Sequence, residues 1–309
     1  MAQFTRLAAA IAAASLAGAV HAGTMQTGDT EVTLSGEVIF AGNYTDNDDT
    51  GSSSNLYLDT VWLEVEASNG PVTAGFALDY GDDQTGEVVD NAYINYKLND
   101  NYTLFAKHDD TYIGFQKATS KWNDTLNDTL VDHDGDEMYG AKISGGPISS
   151  TIYITNGAEH TENGGSEDDL QNFGTSVDYE ADMFSAHFGY ISSVDGAPNT
   201  GAFSVGGTAT LNNILLAAEY NWLSDEVNDE DVSFLHLGAE YTMNDYTLIA
   251  SYETTEEADQ VGEGVEDRIA FGVNKDINDM LYVQAELDFD SKYDDSDDVV
   301  LEVAVGAAF

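Results

Sequence analysis

From Glu31 onward the chain is written in a period of two. Apolar and polar residues alternate in runs rich in Val, Ile, Thr, Tyr and Phe, and no helical stripe competes over a comparable length. Sixteen runs are legible, at 31–44, 56–67, 71–80, 87–98, 101–108, 137–145, 147–155, 170–181, 183–193, 200–211, 213–224, 231–242, 245–254, 265–276, 279–290 and 297–309. In the fifteenth, Leu281, Val283, Ala285, Leu287 and Phe289 alternate with Tyr282, Gln284, Glu286, Asp288 and Asp290. Such alternation predicts a half-buried strand with one apolar face.

The connectors fall into two alternating kinds. Seven are tight reversals: Asn69-Gly70-Pro71, Asn99-Asp100, Gly145-Gly146-Pro147, Ala181-Asp182, Asn212-Asn213, Asn244-Asp245 and Asn278-Asp279. Asn and Asp tolerate positive φ and Gly adopts it freely, so these pairs turn a chain within two or three residues. The other eight are longer and mostly acidic, at 46–55, 81–86, 109–136, 156–169, 194–199, 225–230, 255–264 and 291–296. Sixteen antiparallel strands with short turns at one end and long loops at the other predict an all-β transmembrane barrel.

The aromatic residues sharpen that expectation. On the apolar parity they gather near strand ends: Tyr44, Tyr80, Tyr190, Trp222, Tyr252 and Phe289 beside the long loops, and Tyr96, Tyr102, Tyr179, Phe184, Tyr241, Tyr246 and Phe309 beside the short turns. The core of a soluble sandwich explains the alternation but not two aromatic rings, whereas the two interfaces of a bilayer favour both. Only a closed barrel satisfies strand hydrogen bonds in lipid.

Composition excludes other classes. The 309 residues carry 9 Lys+Arg against 57 Asp+Glu, a formal charge of -48, and no cysteine. A nucleic-acid binder needs a basic face, and disulfide or thiolate-metal chemistry needs Cys. With 42% hydrophobic and 11% aromatic residues the chain is no acidic disordered tail. Residues 1–22 read as a secretory signal: Arg6, an Ala-rich run from Leu7 to Val20, and small residues around Ala22 for cleavage. Removal leaves a single barrel domain, 23–309, and a charge of 8 minus 57, or -49.

Over its whole mature length the chain resembles the general porins of Gram-negative outer membranes, the trimeric sixteen-stranded family. The resemblance rests on strand number, short turns at one end, the alternating last strand closed by Phe309, and the exceptional length of Asp109 to Asp136 after the fifth run. It implies a homotrimer in the outer membrane, in contact with lipids and lipopolysaccharide. It also implies that Phe309 is the assembly signal and that 109–136 folds inward to narrow the pore. Two departures are visible. The Pro-Glu-Phe-Gly-Gly signature of the enterobacterial branch is absent from 109–136, and the first four runs carry no arginine, their only base being Lys97.

Polar parity assigns Glu31, Glu37, Glu64, Glu66, Asp79, Asp178, Glu180, Glu219, Glu240, Glu253, Glu286, Asp288 and Glu302 to the lumen, against Lys97, Lys107, Lys142 and Arg268. A low-dielectric wall of one sign concentrates counterions, so the expectation is a cation-selective diffusion pore for small cations and hydrophilic solutes. Asp110, Asp124, Asp128, Asp132 and Asp134 from the long connector, facing Lys97 and Lys107, are the candidate constriction. No cofactor is required; Asp132, Asp134 and Asp136 around Gly135 have the alternate spacing of a weak Ca²⁺ or Mg²⁺ site. Alternatives are a sugar-specific pore using Trp62 and Trp122 for stacking, an adhesin barrel, and a hydrolase, for which His108 has lipid-facing parity but no accompanying serine motif.

Overall fold

The computed structural model describes residues 23–47, 51–79, 89–109, 136–155, 172–192, 201–225, 230–256, 265–292 and 297–309. They form seventeen strands: β1 (Gly23–Thr27), β2 (Thr30–Asn47), β3 (Gly51–Asn69), β4 (Val72–Asp79), β5 (Val89–Asn99), β6 (Tyr102–Asp109), β7 (Asp136–Gly145), β8 (Ile148–Thr155), β9 (Asn172–Ala181), β10 (Phe184–Ile191), β11 (Ala202–Leu211), β12 (Ile214–Asp225), β13 (Glu230–Met243), β14 (Tyr246–Glu256), β15 (Val265–Asp276), β16 (Leu281–Lys292) and β17 (Asp297–Ala308). From β2 to β17 each strand pairs antiparallel with the next, and β17 returns to β2, so sixteen strands close a ring. Closure removes the unpaired edges that a sheet in lipid cannot leave open.

The short turns form where Asn and Gly supply positive φ. Asn212 and Asn244 adopt φ of 56° and 55°, and Gly70 and Gly146 do the same in their hairpins. Asn278 works differently: its Oδ1 accepts from the amides of Met280 and Leu281, a side-chain turn that reverses the chain without a left-handed residue.

Two features differ from the sequence expectation. The pattern puts an outer connector at 46–55, but β2 and β3 pair from Asn47↔Gly51 inward, so Ser52, Ser53, Ser54 and Asn55 belong to the ladder. These small polar residues carry no apolar parity, which is what hides a strand that rises beyond the lipid band. The second is β1, five residues long and too brief to display a period. It pairs with β2 from Gly23↔Leu34 to Thr27↔Thr30, on the same edge that β17 occupies further along. Phe309 continues β17 by one position: Gly36 N donates to Phe309 O at 2.8 Å and Phe309 N to Gly36 O at 2.9 Å. β1 and β17 therefore lie end to end along β2.

The outward parity carries the exposed apolar side chains, among them Phe40, Phe76, Ile94, Leu104, Ile152, Phe188, Leu237 and Phe271. At its margins aromatic rings pair across strands, Phe203 with Trp222 at 5.4 Å and Tyr179 with Phe184 at 5.6 Å between centroids. Tyr80 lies outside the described residues. The inward parity is less uniformly polar than the alternation implies. Phe105, Tyr153, Ile191, Ala202 and Val232 form one apolar row across it, joined by Met138, Phe234 and Val265.

Candidate functional site: the lumen wall

Register settles which side chains share the inner face, because directly paired residues point the same way. One row runs across nine strands, from β9 to β17: Asp178, His187, Gly206, Glu219, His236, Glu253, Arg268, Asp290 and Asp298. Acidic and basic groups alternate along most of it. His187 Nδ1 meets Asp178 Oδ1 at 2.7 Å, and His236 Nδ1 meets Glu253 Oε1 at 2.8 Å. Arg268 is bidentate on Asp290, with Nε to Oδ1 at 2.8 Å and Nη2 to Oδ2 at 3.0 Å. Lys292 reaches Asp298 at 2.6 Å. Planar guanidinium and carboxylate match in this geometry, which fixes both side chains in place.

One step toward the short turns, the balance is lost. Asp288 follows in the wall, and beyond it Glu286 stands directly opposite Glu302. Like charges in that relation repel. Two local features make the pair tolerable. The Tyr57 hydroxyl donates to Glu302. Gly272, opposite Glu286, leaves room for its carboxylate; a Cβ there would stand 3.2 Å from Glu286 Oε2.

Tyrosine clamps recur around the ring. Tyr93 OH donates to Glu66 Oε2 at 2.6 Å, and Tyr282 OH to Glu37 Oε1 at 2.6 Å. Each ring lies flat against the wall over a glycine of the adjoining strand, Tyr93 over Gly75 and Tyr282 over Gly306. The clamps hold carboxylates as fixed charges instead of leaving them on mobile side chains.

Register relates the expected wall positions to one another. Glu37, Glu64, Glu66, Asp79, Glu219, Glu240, Arg268, Glu286 and Glu302 all share the inner face. The bases are spread unevenly. Lys97, Lys107 and Lys142 lie on β5, β6 and β7, half-way round the ring from β13, β14 and β15 with Glu240, Glu253 and Arg268. Lys97 occupies the short-turn end of β5, two residues before Asn99, and pairs with the exposed Asp100 at 3.0 Å. It lines that mouth of the barrel, at the opposite end of the strands from the long connector. Asp110, Asp124, Asp128, Asp132, Asp134 and Trp122 lie outside the described residues, and only the backbone of Asp136 is described, paired with Asp109. Among the described residues no three acidic or histidine side chains converge as a metal site.

The sequence alone left His187, His236, Asp298 and the Tyr57 and Tyr93 hydroxyls out of the wall, while Tyr282 and Asp290 stood only as polar positions of the fifteenth run. Parity alone carries them inward, since His187 shares it with Ser185 and His236 with Glu240. What no single strand reveals is which residue each one faces across the ladder.

Comparison with known proteins follows the same lines. The family model of Gram-negative porins matches residues 7–296. No curated protein matches the sequence. Among solved structures, the anion-selective porin from Comamonas acidovorans superposes with a TM-score of 0.67 at 16% identity, covering 91% of this chain and 100% of that one. The outer membrane channel DcaP of Acinetobacter baumannii gives 0.66 at 13% identity, covering 94% and 100%. OmpT of Vibrio cholerae, an outer membrane protein, gives 0.63 at 13% identity, covering 93% and 100%. At such identities the superpositions speak for the sixteen-strand architecture alone, and the family model, spanning nearly the whole length, assigns the chain to the Gram-negative porins, channel proteins of the outer membrane.

Proposed function

We propose that this porin is a cation-selective passive diffusion channel for ions and small hydrophilic solutes. The observation that carries the reading is the excess of fixed carboxylates on the inner face, with Glu37, Glu66 and Glu302 clamped by tyrosines and Glu286 and Asp288 beside them. Charge anchored to a low-dielectric wall raises the concentration of counterions in the aqueous path. The superposable Comamonas porin is anion-selective; in a shared architecture the sign of selectivity is a property of wall residues, and here those are mainly acidic.

The test is the reversal potential of the channel in a planar bilayer under a potassium chloride gradient. Cation preference is expected, and anion preference would overturn the reading. The triple variant Glu286→Gln, Asp288→Asn, Glu302→Gln should reduce the potassium to chloride permeability ratio by roughly twofold or more, from the loss of three partly screened charges. An unchanged ratio would remove these residues from the selectivity path.

The working form is a homotrimer in the outer membrane, beside lipopolysaccharide, from which residues 1–22 have been removed. Support for the cleavage comes from the sequence, with Arg6, the Ala-rich run from Leu7 to Val20 and the small residues around Ala22. N-terminal sequencing of protein from outer membranes is expected to begin at Gly23; a start at Met1 would contradict the cleavage.

A further inference from the structure

The row of alternating acids and bases contains two members whose charge is not permanent. We infer that His187 and His236 are specificity-determining residues of the pore, making its ion preference depend on protons. This deepens the cation-selective reading and rests on it.

His236 is buried, 3% exposed, between two carboxylates on the neighbouring strands: Glu219 on β12, directly paired with it, and Glu253 on β14, bonded to its Nδ1. Its own strand offers only Phe234 and Gly238 at the adjacent inward positions, and Arg268 lies one strand further, beyond Glu253. Nε2 is buried and has no hydrogen-bond partner. The carboxylate of Glu253 holds the proton on Nδ1, which leaves Nε2 as the atom that takes up a second one. His187 repeats the arrangement on β10. It faces Asp178, with Glu180 diagonal to it on β9, and on its other side Gly206, behind which stands Glu219.

With both imidazoles neutral, the five acids of the row, Asp178, Glu219, Glu253, Asp290 and Asp298, stand with one permanent base within it, Arg268; with both protonated, the row gains two positive charges. Histidine is the side chain whose charge responds most readily to protons, so acidification is expected to lower the cation preference of the wall. Two added charges, partly screened, correspond to a roughly threefold fall in the potassium to chloride permeability ratio.

The experiment measures reversal potentials of the wild-type channel and of the His187→Asn, His236→Asn double variant in a potassium chloride gradient, from about pH 8 to about pH 5. The inference expects the wild-type ratio to fall and the variant ratio to stay nearly level. A wild-type ratio that does not move overturns it, as does a variant that follows the wild type, which would assign the effect to carboxylates. The single variants, each expected to lose part of the shift, serve if the double variant fails to assemble. Absence of cation preference at the alkaline end would instead overturn the proposed function, whatever the pH series gives.

Discussion

Replacing Arg268 by Gln is expected to destabilise the barrel by about 3–5 kcal/mol, the usual effect of removing one partner from a buried ion pair. The guanidinium is 8% exposed and bidentate on Asp290, with Asp288 and Glu253 close by in the wall. Without it three carboxylates face one another with no fixed cation between them. Coulomb repulsion among the three then adds to the lost hydrogen bonds. Urea unfolding in lipid vesicles, followed by tryptophan fluorescence, measures the loss. Adding Asp290→Asn should return much of it, because a neutral pair no longer confines an unbalanced charge. If the double variant is as unstable as the single one, the cost arises from packing and not from charge.

The second large effect is expected at Gly140. A Cβ placed there would collide with the carbonyl oxygen of Ile152 and stand 2.6 Å from Phe105 Cζ and 2.9 Å from Tyr153 Cβ. The first of these is backbone, fixed by the β7–β8 ladder, so Gly140→Ala can be accommodated only by opening the strand pair. Overpacking of this kind costs about 1–3 kcal/mol. Gly306→Ala offers the contrast. Its Cβ would collide with Tyr282 Cζ, a nominally worse clash, yet that atom is the far end of a side chain that can rotate away. The expected loss is therefore smaller and takes a different form, with the Tyr282 bond to Glu37 broken. Comparing both variants with wild type in the same unfolding assay ranks Gly140 above Gly306; the reverse order would show that the ladder yields more easily than the tyrosine.

Much of this architecture is written locally. The alternation in 279–290 reappears as β16 with Gln284, Glu286, Asp288 and Asp290 buried and Phe289 outward, and the Asn pairs at 212 and 244 turn the chain as their chemistry allows. Parity within a strand also suffices to put Glu219 or Glu302 on the inner face. What a single strand cannot state is its neighbour's register. The bulge at Asp59 shifts β3 by one residue against β2, bringing Tyr57 rather than Leu58 inward, and only then does its hydroxyl meet Glu302. The bond between His236 and Glu253 likewise depends on two hairpins closing in step, a property of the assembled ring. The apolar inward row from Phe105 to Val232 is also invisible to a two-letter pattern, because it occupies positions where polar parity promises water.

The end-to-end arrangement of β1 and β17 has a consequence for how the barrel could be encoded. Among the described residues none pairs with Ser35 on this edge of β2, where Phe309 lies on one side and Gly23 on the other. In a chain starting at Gly23, one inserted residue would join them, and the sixteen-strand ring would then be a covalent circle as well as a hydrogen-bonded one. Opened at the Asn212–Asn213 reversal, such a circle becomes a circular permutant with every register retained, in which β12 is synthesised first and β11 last. Strand order along the polypeptide and strand order around the pore are thus separable in this protein.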